Sequence, residues 1–133
     1  MPVKPIVSSI LMCDSVITEA GTNKKSLIGV FNRIWASTLP AMHPNLWIFM
    51  EVTGIRGEVP LTIKIKPAFG SEAPIIEIEG RVRGQDHRAM AEISFHVPEL
   101  PLMEFGDHLI EVLSGGHPCN SRRFAVTERK EQS

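Results

Sequence analysis

The chain has 133 residues, 43% of them hydrophobic and 22% charged, with a formal net charge of −1. That length suits one domain able to hold an apolar core without covalent staples. The near balance of charge argues against nucleic-acid binding by bulk attraction, which needs a concentrated basic surface.

The opening, MPVKPIVSSILMC, holds one lysine, two prolines and two serines. It lacks the basic start, unbroken apolar stretch and small-residue cleavage site of an export signal. No segment reaches the ~18 unbroken apolar residues of a membrane span. The chain is therefore expected to be cytoplasmic, with no membrane partner.

Eight strands are expected. The first two, 7–17 and 26–36, form a hairpin around Gly21 to Lys25. Both are apolar on two faces, which suits strands covered on both sides. Gly29 inside the second marks a bulge or a close backbone approach. In 46–53, Leu46, Ile48, Met50 and Val52 take the core face and leave Trp47 and Phe49 outside. Strand 60–66 sets Leu61, Ile63 and Ile65 against Thr62, Lys64 and Lys66. Strand 75–82 sets Ile76, Ile78 and Val82 against Glu77, Glu79 and Arg81. Strand 89–97 places Ile93, Phe95 and Val97 opposite Met90, Glu92 and His96.

PELPLMEFGDH is the least regular connection, with room for one short helical turn. In 107–114, His108, Ile110 and Val112 point inward, while Leu109 and Leu113 flank Glu111 outside. Strand 121–127 closes a last hairpin around Gly115 to Asn120, and residues 128–133 are expected to fray. Period-two alternation with turn residues at short spacing predicts an all-β fold. The expected architecture is a single antiparallel β-sandwich of about eight strands over 1–133, immunoglobulin-like or related.

Chemistry-bearing residues are sparse. Cys13 and Cys119 are expected to be reduced thiols, since two cysteines make no disulfide framework. Asp14 beside Cys13 raises a thiol pKa rather than activating it, and can accept hydrogen bonds from the turn Thr22 to Lys25. Asp86-His87 and Asp107-His108 are adjacent pairs, whose members point to opposite faces of a strand. A metal-dependent enzyme would have to draw on His96, His108, His117 and Cys119. No phosphate loop, nucleophile elbow or triad pattern is present. The chain is expected to be no enzyme and to need no metal or cofactor.

ILMCDSVITEAGTNKKSLIGVFNRI followed by LP resembles the opening of an uncharacterised bacterial family of small all-β domains. The match runs over residues 10 to 40, through Cys13, Asp14, Gly21, Lys25, Ser26, Leu27, Ile28, Gly29 and Phe31. FGDHLIEVLSGGHPCNSRRFAV resembles the closing hairpin of immunoglobulin-like sandwiches, with His108 where an aromatic is usual. The resemblance implies a bacterial intracellular all-β protein and carries no activity.

The leading functional expectation is a non-catalytic module that self-associates or docks a protein partner. It rests on apolar side chains on faces that should be wet: Trp47, Phe49, Met90, Leu109 and Leu113. If their strands share a sheet, they form an apolar stripe of the kind that marks interfaces. The alternative is a small-ligand or carbohydrate-binding sandwich using Trp35 or Trp47.

Overall fold

Alternating apolar and polar side chains suit strands with one face buried, and such strands fill most of the chain. The computed structural model describes residues 4–69, 73–84, 86 and 88–130. Among these residues ten strands run in order: β1 (Ile6–Cys13), β2 (Ser15–Thr18), β3 (Lys25–Ile28), β4 (Arg33–Ala36), β5 (Ala41–Thr53), β6 (Gly57–Pro67), β7 (Ile76–Gly84), β8 (Ala91–Leu102), β9 (Gly106–Ser114) and β10 (His117–Glu128). The described residues hold no helix long and apolar enough to cross a membrane.

The strands make three sheets, ordered β1-β5-β8, β4-β10-β9-β6-β7 and β2-β3. The inner faces of the two larger sheets share one core. Ile10, Met12, Leu46, Ile48 and Met50 enter it from one side; Leu61, Ile63, Ile65, Ile110 and Val112 enter from the other. Burying each such side chain stabilises the fold by roughly 1.5–3 kcal/mol against exposure. Two side-chain bonds tie β1 and the residues just before it to β10. Asn120 Nδ2 donates to the Val7 carbonyl at 2.7 Å, and Lys4 Nζ donates to the Pro118 carbonyl at 2.9 Å.

Four features differ from the expected pattern. The run 7–17 is broken at Asp14 into β1 and β2, because the Asp14 amide donates to the carbonyls of Ile28 (2.9 Å) and Gly29 (3.2 Å) instead of extending β1. The run 26–36 is broken into β3 and β4 by Gly29, whose φ is 69°. The expected antiparallel pairing has one exception, β4, which runs parallel to β10 from Arg33 opposite Ala125 to Ala36 opposite Glu128. PELPLMEFGDH forms no helical turn, since β8 continues through Pro98 and Pro101 to Leu102. Proline is tolerated there because, among the described residues, β8 is an edge strand with one side free of ladder bonds.

Both expected hairpins are present. The β2–β3 turn closes with the Glu19 amide donating to the Lys24 carbonyl at 2.8 Å. The β9–β10 turn is tighter than Gly115 to Asn120. Ser114 pairs with His117, so Gly115 and Gly116 alone make the turn, with φ of 56° and 82°. Positive φ at both central residues is what a two-residue turn of matching twist requires.

Candidate functional site

The outward apolar set does not make one stripe, because β5 and β9 lie in different sheets. Those sheets meet through their inner faces, so Trp47 and Phe49 face away from Leu109 and Leu113. Trp47 is half-buried and stacks on His96, with centroids 4.5 Å apart and planes 15° from parallel. His96 Nε2 reaches Asn45 Oδ1 at 3.3 Å. Phe49 is only 6% exposed and sits in register between Leu11 and Ser94. Leu109 lies between Lys66 and Arg123, residue types whose aliphatic stems cover apolar neighbours. Met90, 48% exposed, stands apart just before β8, its Sδ 3.9 Å from Ser8 Oγ.

The residues weighed as metal ligands are not brought together either. His108 is fully buried, stacked on Phe124 at 5.2 Å, its Nδ1 donating to the Gly106 carbonyl at 3.0 Å. His96 lies on the outer face of the other sheet. His117 and Cys119 sit at the start of β10, with Cys119 Sγ donating to the His117 carbonyl at 3.6 Å. Among the described residues no three His, Cys, Asp or Glu side chains converge. His87 lies outside the described residues. Cys13 and Cys119 are both free thiols. Burial pushes both above the usual thiol range; the Ser15 backbone opposes this at Cys13, and the Lys4 charge opposes it at Cys119.

A different set of residues converges where the chain passes from β3 to β5. Gly29 has no room for a side chain, because a Cβ there would collide with the Asp14 carboxylate. The chain then returns to β1, with the Phe31 amide donating to the Met12 carbonyl at 3.0 Å. Next, β4 docks on β10, held at its ends by the Ala125 amide donating to the Asn32 carbonyl (3.1 Å) and the Arg129 amide donating to the Ala36 carbonyl (2.8 Å). On β4, Ile34 and Ala36 point into the core, so Arg33 and Trp35 must point out. Trp35 is 51% exposed. The Arg33 guanidinium lies 5.5 Å from its ring centroid, and Arg33 Nη1 donates to Thr127 Oγ1 at 3.0 Å. That cation–π contact favours the outward pose of the indole.

Two clefts adjoin around Trp35. One, of about 340 Å³, is lined by Asp14, Val30, Arg33, Trp35, His43 and Arg129 among others. The second, of about 330 Å³, runs past Thr38, Pro40 and Met42 to Leu102. Ile34, Trp35 and His43 line both. Val30 and Met42 are 52% and 53% exposed, so an apolar surface brackets the indole. His43 packs its ring 5.3 Å from Phe31, and its buried Nε2 has no hydrogen-bond partner among the described residues. Burial holds the His43 pKa below the ordinary 6.5, against the opposing pull of the Asp14 charge. With Arg33 and Arg129 against Asp14, the rim of the first cleft is net positive. Such a surface suits an apolar group lying on Trp35 beside a carboxylate at the guanidinium groups.

Sequence reasoning weighed Trp35 as a sugar platform and missed its neighbours. The local signal was present in RIWA, where Ile34 and Ala36 alternate with Arg33 and Trp35. What placed Arg129 beside them is the parallel β4–β10 pairing, a long-range event, while His43 comes from β5 of the other sheet and packs on Phe31.

Residues 8–127 match the model of a family of unknown function, DUF6941. No curated protein matches the chain.

Proposed function

The chain therefore belongs to the DUF6941 family, and we propose that it is a non-catalytic interaction module that docks a protein segment at the β4 edge. The observation that carries this reading is Trp35: it is half exposed, backed by Arg33, and bracketed by Val30 and Met42 across two adjoining clefts. Aromatic residues and arginine are the side chains that most often dominate protein interfaces. The net positive rim selects a segment in which an apolar side chain neighbours Asp or Glu. The outward residues Trp47, Phe49, Leu109 and Leu113 are not the centre of this surface.

The connectivity supports an immunoglobulin-like sandwich as the scaffold. β1-β5-β8 faces β9 and β10 with the hairpin partners β6 and β7, and from β5 onward the chain crosses between the sheets after β5, after β7 and after β8, a two-sheet alternation of the kind that fold uses. Two free thiols, one of them fully buried, suit a reducing compartment such as the cytoplasm.

Selection of random displayed peptides on the full chain tests the docking reading. Enriched peptides are expected to share an apolar residue beside an acid and to lose binding on Trp35→Ala and on Arg129→Glu. Enrichment that neither substitution affects would remove the β4 edge from the account. A second reading, a sugar or other planar ligand stacked on Trp35, is favoured by the two clefts; it predicts a change of indole fluorescence with a glycan that survives Arg129→Glu.

A further inference from the structure

β7 hydrogen-bonds β6 along one side, and among the described residues no other strand pairs with it. An open edge exposes unpaired donors and acceptors, and proteins usually blunt it with proline, bulges or repelling charge. β7 is instead regular from Ile76 to Gly84, reads IEIEGRVRG and holds no proline. Glu77, Glu79, Arg81 and Arg83 are exposed, while Ile76, Ile78 and Val82 pack against the core. At its middle, Gly80 is covered from the inside by Phe95, whose ring would lie 3.2 Å from a Cβ built there. The inner face of the strand is therefore closed, and its edge is free of partners among the described residues.

The exposed charges are ordered about Gly80, with two acids before it and two bases after it. A two-fold axis through Gly80 lays a second copy of β7 antiparallel to the first. Glu77 then faces Arg83 of the second copy and Glu79 faces Arg81, each twice by symmetry. On the inner face Ile78 meets Val82. Sliding the pair by two residues, the smallest shift that keeps the faces matched, opposes the two Glu79 or the two Arg81 side chains. Parallel pairing in register sets every charge against its like. Unlike charges stabilise a cross-strand pair and like charges penalise it, so the strand specifies one register with itself. Within the protomer these charges are loosely held: Glu77 lies 3.9 Å from Lys64 and Arg81 lies 3.9 Å from Glu58, all near the surface, where such pairs contribute little.

We infer that two copies of the chain associate through β7, joining their five-stranded sheets into one continuous sheet centred on Gly80. The contact is isologous and closes at two copies. It goes beyond the docking reading, because β4 and β7 are opposite edges of the same sheet. The dimer leaves both Trp35 surfaces open and offers a partner two of them, which raises avidity without any new contact.

Sedimentation of the full chain over a range of concentration and salt tests this. The wild type is expected to form a dimer of 14.8 kDa protomers that weakens as salt rises. Arg81→Glu with Arg83→Glu makes every opposed pair acidic, and Glu77→Arg with Glu79→Arg makes every pair basic. Each double variant is expected to self-associate roughly a hundredfold or more weakly, since four attractive pairs become repulsive. Mixing the two variants restores the dimer, because each now meets opposite charge; a variant that had lost its fold would not be rescued. Cooperative urea unfolding of each variant confirms its fold independently. A wild type that stays monomeric at every accessible concentration overturns the inference. So does a dimer that both reversals leave intact, or a mixture of folded variants that stays monomeric.

Discussion

Gly29→Ala probes how the Asp14 break shapes the candidate site. Gly29 has φ 69°, and a Cβ at this position would collide with the Asp14 carboxylate. The left-handed conformation costs an alanine about 1 kcal/mol. Displacing Asp14 from its favoured rotamer adds about 0.5–1.5 kcal/mol. Loss of chain freedom in the unfolded state offsets about 0.4–1 kcal/mol. The net expectation is a loss of about 0.5–2 kcal/mol, read from urea midpoints with an unchanged denaturant slope. Asp14→Ala removes the colliding carboxylate, leaves the Asp14 Cβ 3.2 Å from the new one, and leaves the φ cost. The double variant is therefore expected to lose about 0.5–1 kcal/mol less than the sum of the single losses, a coupling above the roughly 0.3–0.5 kcal/mol scatter of independent sites. Additive losses would show that Asp14 does not occupy the space over Gly29, and the account of the break would fail.

Three further outcomes follow from burial. Phe49→Ala is expected to cost about 3 kcal/mol, as for a core phenylalanine, because Phe49 is 6% exposed; Leu109→Ala, at a half-buried position among charged stems, is expected to cost about 1 kcal/mol. Equal costs in chemical denaturation would contradict the burial difference. His43 has its folded pKa held below 6.5, so the unfolded state binds more protons in the window just below that value. Stability should rise with pH through that window and be indifferent to this group above it. His43→Gln should flatten that part of the profile, and an unaltered slope in urea midpoints taken at about pH 5 and about pH 7.5 would assign it elsewhere. A thiol-reactive dye should modify half-buried Cys119 in the native protein and reach fully buried Cys13 only on unfolding; equal rates would contradict that difference in access.

Much of the sheet architecture was legible because each strand carries its own face. Leu61, Ile63 and Ile65 alternate with Thr62, Lys64 and Lys66, and all three apolar residues are fully buried. The same holds for Ile110 and Val112, and even inward-facing His108 follows the alternation. Gly29 was legible as a bulge or a close backbone approach; what lies over it is the Asp14 side chain, which was not legible. The Asp14 break was hidden inside an apolar run that reads as continuous in one dimension. The stripe failed for a related reason: alternation tells which face a side chain takes but not which sheet the strand joins. Trp47 and Leu109 both point outward, yet from opposite sides of the core. The meeting of Trp35 and Arg129 depends on β4 running parallel to β10, and no local pattern encodes a pairing between residues so far apart.

The most direct test of the docking account is the map of amide chemical-shift changes when the best-selected peptide is titrated into isotope-labelled protein. The account predicts changes concentrated at Val30, Arg33, Trp35, Met42, His43 and Arg129. Changes concentrated instead around Leu109 and Leu113, or around Trp47 and Phe49, would contradict it and return the interaction surface to one of the outer sheet faces.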